Sequence, residues 1–154
     1  MNIIGPVLKR ECDIEAVLRS LPLWFGIENA LLMYVADSAE KPTFAAEVGD
    51  VLAGFVTLTQ HFPQSWEVHC IAVSAQYRNT GIGSALLAHA ERFAQGHGAQ
   101  FLQVKTVAHT SPSPEYAQTR KFYEAKGFIP LEIFPELWNP RNPALQLVKL
   151  LERP

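Results

Sequence analysis

The residues of this chain best suited to hold a ligand lie between Ile71 and Leu87, in the run IAVSAQYRNTGIGSALL. A β-branched apolar segment ends at Val73, a polar turn runs from Ser74 to Thr80, and Gly81-Ile82-Gly83 leads into a helix from Ser84 onward. The first N–H groups of a helix have no internal partners, and the helix dipole adds partial positive charge there. A strand, a glycine-bearing loop and a helix start therefore make an anion site, best suited to phosphate or pyrophosphate. Gly81 and Gly83 let backbone approach such a ligand without an intervening Cβ. Arg78 adds a fixed positive charge beside the loop. A glycine pair before a helix is, on its own, more often a plain turn. The dinucleotide fingerprint fails because Leu86 holds the place of its third glycine, and no Gly-Lys-Ser/Thr follows to make a Walker loop.

The rest of the composition narrows the chemistry. With 154 residues, 48% of them apolar and 18% charged, the chain is long enough for a hydrophobic core and is expected to form one domain over residues 1–154. The net charge of −2, with scattered Lys and Arg, gives no electrostatic case for a nucleic-acid partner. No apolar run is long enough to span a bilayer, so no membrane partner is expected. The N-terminal residues lack the pattern of a signal peptide, and Cys12 and Cys70 suggest no disulfide framework, so the expected location is cytoplasmic. The five His residues are dispersed and no Cys/His spacing suits a metal, so none is expected.

These residues need elements to position them. Ile3 to Leu8 reads as an irregular edge strand interrupted by Gly5-Pro6. Asp13 reads as the N-cap of a first helix that Pro22 ends, and a second helix runs from about Ile27 to Ser38. Thr43 to Val48 and Val51 to Thr59 form a hairpin over Gly49-Asp50, His61 to Gln64 is a turn, and Ser65 to Val73 is a long strand. On that strand 67, 69, 71 and 73 share one face, while Val68, Cys70 and Ala72 pack on the other. The helix after the loop stops at Gly96 and Gly98, and Phe101 to Val107 is a fifth strand, reached by a right-handed parallel crossover. Pro114 opens a helix from Glu115 to Lys126, and Gly127 stops it. Phe128 to Phe134 and Ala144 to Leu151 are the last two strands, joined by a connection from Pro135 to Pro143.

Arg78-x-x-Gly81-x-Gly83 resembles the acetyl-CoA pyrophosphate loop of the GNAT acetyltransferases. Phe122-Tyr123-Glu124-x-x-Gly127-Phe128 resembles a second signature of that family, and the order of elements is similar over essentially the whole chain. The resemblance implies an α+β fold of the α/β class. Its centre is a mixed, mostly antiparallel seven-stranded sheet, splayed between strands 4 and 5 and flanked by four helices. It implies acetyl-CoA as co-substrate, with the backbone of Ile71, Ala72 and Val73 holding the pantetheine arm. The amides of Arg78, Asn79, Thr80, Gly81, Ile82, Gly83 and Ser84 would hold the pyrophosphate. The family often places Asn seven residues before the helix Tyr; Tyr116 stands there instead, so that contact is not carried over.

The same resemblance implies catalytic roles. Tyr123 occupies the position whose phenol protonates the leaving thiolate, although a lone Tyr on an amphipathic helix would read as core. Glu67, six residues before Val73, is the candidate base, against the plain reading of an exposed strand carboxylate. His69 on the same face is a second candidate base, and a water chain is a third route. The acceptor cleft is expected between Trp24, Phe25 and Glu28 on one side and Glu136 and Trp138 on the other, with His69 between. Glu28 reads equally as a cation-attracting residue and as a helix-start Glu stabilised by the dipole. The expected reaction is acetyl transfer to a primary amine of a small molecule by direct attack on the thioester. Protein or peptide N-acetylation and a non-catalytic acyl-CoA-binding module are the alternatives. The apolar C-terminal strands and the family's habit imply a homodimer as the protein partner.

Overall fold

The computed structural model of the chain describes residues 1–152; the last two positions of the expected 1–154 domain lie outside the described residues. The elements are β1 (Asn2–Ile4), α1 (Glu11–Arg19), α2 (Glu28–Ser38), β2 (Thr43–Val48), β3 (Val51–Phe62), β4 (Ser65–Val73), α3 (Ile82–Gly96), β5 (Phe101–Val107), α4 (Pro114–Ala125), β6 (Ile129–Asn139) and β7 (Asn142–Leu150). A 3-10 turn covers Ala75–Tyr77. The strands form one open mixed sheet in the order β1-β2-β3-β4-β5-β7-β6, with β4 and β5 parallel. The chain divides into two compact units: Met1–Thr59 with Val68–Phe93, and Gln60–Glu67 with the chain from Ala94 onward.

In the first unit, α1 and α2 pack on one face of β2, β3 and β4. Ile14, Val17, Leu18 and Leu21 of the first helical segment meet Leu31 and Val35, Ala45, Phe55, Cys70 and Ala72 in one buried cluster. Burying each of the larger of these side chains contributes roughly 1.5–3 kcal/mol relative to exposure. The alternate residue of β2, Phe44, turns the other way, to the rings of His89 at 4.5 Å and Phe93 at 5.0 Å on α3. Gly54 keeps β3 close to this layer: a Cβ there would meet Ala72 O at 2.9 Å and Leu86 Cδ1 at 3.3 Å. α1 starts at Glu11, two residues before the expected Asp13 cap. The Asp13 carboxylate is engaged by Arg10 Nε at 2.8 Å, while Arg10 Nη1 reaches Glu47 on β2 at 2.6 Å.

In the second unit, β5, β7 and β6 form an antiparallel ladder, with Val104 opposite Leu147 and Ile133 opposite Leu145. Ser113 caps α4 by accepting the Tyr116 N–H, and Pro114 holds its first turn. Arg120 on α4 donates to the Val107 carbonyl at 2.6 Å, which ties the helix to the end of β5.

Other expectations change: the first strand covers Asn2–Ile4 and stops before Gly5-Pro6, short of the expected Leu8. β3 continues through His61 and Phe62, so the turn to β4 is only Pro63-Gln64. A two-residue turn continues the ladder directly, which places His61 within reach of β4. The expected connection from Pro135 to Pro143 is mostly strand: β6 runs to Asn139 and β7 starts at Asn142. Asn139 Oδ1 accepts the N–H groups of Arg141 and Asn142, both at 3.1 Å, and closes a tight hairpin. β6 is the sheet edge, and Ile129, Leu131, Leu137 and Trp138 on it are exposed.

Candidate functional site

The glycine loop has the geometry its sequence requires. β4 ends at Val73, and the Ser74 N–H donates to the Ala53 carbonyl at 2.8 Å, which fixes the strand's exit. The Ala75 N–H donates to Ser20 Oγ at 3.1 Å, so the end of α1 holds the 3-10 turn. Thr80 Oγ1 donates to the Tyr77 carbonyl at 2.5 Å. Asn79 at φ 61° and Gly81 at φ 87° both take left-handed backbone, the step that turns the chain into α3. A Cβ built on Gly81 meets no atom within 4 Å, so within the chain glycine is demanded there by its dihedral.

α3 begins at Ile82, earlier than the expected Ser84. Its first turn therefore contains Gly83 and Ser84. The Ala85 N–H donates to the Gly81 carbonyl at 3.1 Å, and the amides of Ile82, Gly83 and Ser84 come before that bond in the chain. These are the groups a helix leaves without internal partners. A helix start of this kind suits an anion.

Arg78 also makes a contact that its sequence does not announce: its guanidinium lies 4.4 Å above the Trp24 ring. A residue expected to hold the cofactor and one expected to hold the acceptor thus touch. Trp24 and Phe25 are half-buried where α1 ends, and both backbone N–H groups donate to the Leu21 carbonyl, at 3.1 and 2.9 Å. Phe25 meets Tyr34 edge-on at 5.9 Å, and Tyr34 meets His69 at 5.3 Å. His69 Nε2 lies 2.7 Å from Asp37 Oδ2. Tyr34 and Asp37 are three residues apart on α2, hence on one helix face, and that face meets β4. Their roles escape sequence reading because the pairing is long-range. Glu28 is exposed at the start of α2, and Arg19 binds both its oxygens, at 2.6 and 3.0 Å. That guanidinium holds the Glu28 carboxyl below its ordinary range.

Glu67 is not an exposed strand carboxylate. It retains 9% exposure, and both oxygens are occupied. His61 Nε2 lies 2.6 Å from Oε1, and Lys105 Nζ on β5 lies 2.9 Å from Oε2. Sequence reading missed His61 because it ended β3 at Thr59, and a two-residue hairpin is the signal that could have found it. Tyr123 is 4% exposed and meets Phe122 at 5.4 Å and Phe128 at 5.6 Å. The Phe128 N–H donates to the Tyr123 carbonyl at 3.1 Å, so Phe-Tyr-Glu-x-x-Gly-Phe closes on itself around Gly127 at φ 93°. Tyr116 lies in the first turn of α4. Glu136 and Trp138 are exposed on β6, where Phe134, Pro135, Glu136 and Leu137 line an open depression of about 380 Å³. On β4, Ala72 is buried, with Ile71 and Val73 half-buried.

Comparison with known proteins agrees with this architecture. The model of the acetyltransferase (GNAT) family matches residues 15–128, and the chain belongs to that family. A curated relative, an uncharacterized protein of Mycobacterium leprae, is 41% identical over 69 residues, which are 43% of this chain and 19% of that protein. The match thus spans about a fifth of the relative's length. Among solved structures, one from Desulfovibrio desulfuricans described as a GNAT-family acetyltransferase superposes with a TM-score of 0.83 at 19% identity. That alignment covers 98% of this chain and 99% of the other. An aminoglycoside 6'-N-acetyltransferase complexed with coenzyme A gives 0.77 at 21% identity, over 100% of this chain and 99% of that one. These likenesses show the fold.

Proposed function

We propose that this protein transfers the acetyl group of acetyl-CoA to a primary amine of a small molecule, by direct attack of the amine on the thioester. The observation that carries the reading is the loop Arg78–Ser84. It follows a strand, takes left-handed backbone at Gly81, and opens a helix at Ile82, four residues after Arg78. In this reading those amides and Arg78 hold the pyrophosphate. The backbone from Ile71 to Val73 takes the pantetheine arm as an added strand would. The acceptor amine must lose a proton before or as it attacks, because a free alkylamine has a pKa of about 10. β4 offers two candidates to receive it, Glu67 and His69. A backbone N–H near Ile71 or Val73 stabilises the oxyanion, and Tyr123 protonates the thiolate. Direct attack, rather than an acetyl-enzyme, agrees with the state of Cys70. That thiol is buried, and burial holds its pKa far above the ordinary range, so the nucleophilic thiolate is suppressed.

The acceptor lies in the reach of Trp24, Phe25 and His69. An aromatic row suits a cationic amine. The small-molecule choice is supported by the aminoglycoside enzyme among the structural neighbours. The test has two stages. Acetyl-CoA should raise the melting temperature. Free thiol should then appear only when acetyl-CoA is mixed with a primary amine from a panel of spermidine, kanamycin, tyramine and lysine. A thermal shift without turnover on any amine would favour an acyl-CoA-binding module instead.

A further inference from the structure

We propose that His69 is the group that takes the proton of the attacking amine, and that Asp37 is the positioning residue that makes it able to do so. The proposal rests on the acetyl-transfer reading above. An ionised carboxylate only accepts hydrogen bonds. The 2.7 Å contact between Asp37 Oδ2 and His69 Nε2 therefore requires the hydrogen on Nε2. A neutral imidazole carries one N–H, so the lone pair is left on Nδ1. Tyr34 packs edge-on against the same ring at 5.3 Å, which adds a second restraint on its orientation. The side chains of His69 and Asp37 keep 23% and 26% exposure, so the pair is held without being sealed. Phe25 extends the row from Tyr34 back to the segment between α1 and α2. His69 thus stands where the expected acceptor segment meets β4, two residues before Ile71.

Glu67 is arranged differently. Both oxygens already accept, at 2.6 and 2.9 Å, so a proton arriving there competes with His61 and Lys105 for the carboxylate. Its three-strand set, β3, β4 and β5, suits a clip that fixes the strands. The proton balance with His69 is simple. The ammonium first loses one proton to solvent; the neutral nitrogen then bonds to the acetyl carbon, and its surplus proton passes to His69 Nδ1. The carbon–sulfur bond breaks, and the sulfur takes the Tyr123 phenolic proton. Solvent then removes the imidazolium proton and restores the phenol.

The tautomer can be read directly by long-range nitrogen–proton NMR on protein labelled with ¹⁵N-histidine, with the His69 signals assigned by their loss in His69→Gln. We expect a protonated Nε2 and an unprotonated Nδ1 in the wild type, and loss of that single tautomer in Asp37→Asn. A protonated Nδ1 in the wild type would overturn the proposal. Kinetics on the best amine of the same panel supply the second readout. His69→Gln should lower kcat about a hundredfold, and Asp37→Asn tenfold or more, with the KM for acetyl-CoA unchanged in both. Circular dichroism and acetyl-CoA binding equal to wild type show that the variants fold. A His69→Gln kcat within twofold of wild type would remove His69 as the base while leaving acetyl transfer intact. A wild type inactive on every amine would refute the transfer reading, and the base role with it.

Discussion

A phenol that gives up its proton to a leaving sulfur needs an enclosed, fixed position, and Tyr123 has one. It is almost fully buried, with Phe122 and Phe128 against its ring. Tyr123→Phe removes only the hydroxyl and keeps that packing. Its kcat should fall about tenfold to a hundredfold, at the low end for a positioned acid because a thiolate leaves fairly well unaided. The KM for acetyl-CoA should stay level, and steady-state kinetics check both. An unchanged kcat would leave Tyr123 as a core residue. At this scale the sequence was legible where a motif is local. Phe-Tyr-Glu-x-x-Gly-Phe closes through bonds between near neighbours, so its spacing carries its structure. The partners of Glu67 and His69 were not legible, because Lys105 and Asp37 lie on other elements, 38 and 32 residues away. Only the assembled sheet and helices bring them together.

Among elements, the strand–loop–helix from β4 to α3 carries the functional claim. Its strand end at Val73 was legible from the last β-branched residue, whereas α3 starts two residues before the expected Ser84 because the left-handed step falls at Gly81. Gly83→Asp puts a carboxylate in the first turn of α3, where the amides would meet phosphate. Acetyl-CoA binding by calorimetry should then weaken at least a hundredfold; equal affinity would place the site elsewhere. The contact between Arg78 and Trp24 adds a prediction that the motif alone does not. Trp24→Ala removes the ring under the guanidinium, so the KM values for both acetyl-CoA and the amine should rise, by about threefold to tenfold. A rise for the amine alone would separate Trp24 from the cofactor loop. The β6–β7 hairpin was misread as a connection because Pro135, Pro140 and Pro143 look like loop punctuation. Pro135 is on the edge strand β6, where a proline costs no ladder bond if its nitrogen faces outward; Pro140 lies in the turn and Pro143 at the start of β7.

For the whole molecule, seven strands and one parallel crossover were legible, while the place of β7 between β5 and β6 emerges only in the assembled sheet. Stability brings in a group that sequence reading passed over. His89 on α3 is packed against Phe44, and burial, helped by Arg92, lowers its pKa from the ordinary 6.5. Above about 6.5 the folded and unfolded chains both hold it neutral, and its contribution is fully present. As pH falls, the unfolded chain takes up a proton that the folded one resists, so stability is lost on the way down through the folded value. In His89→Gln this part of the slope should vanish. Melting temperatures of the two proteins should run parallel above about pH 6.5 and converge below it. Curves parallel throughout would show that His89 does not titrate differently on folding.

Direct attack of an amine on bound acetyl-CoA is the core of the proposed reaction. It is tested most directly by initial rates measured over a grid of acetyl-CoA and amine concentrations, using the most active amine of the panel. Direct attack gives double-reciprocal lines that intersect, because both substrates must be present before any product leaves. Parallel lines, the signature of an acetyl-enzyme intermediate, would contradict it.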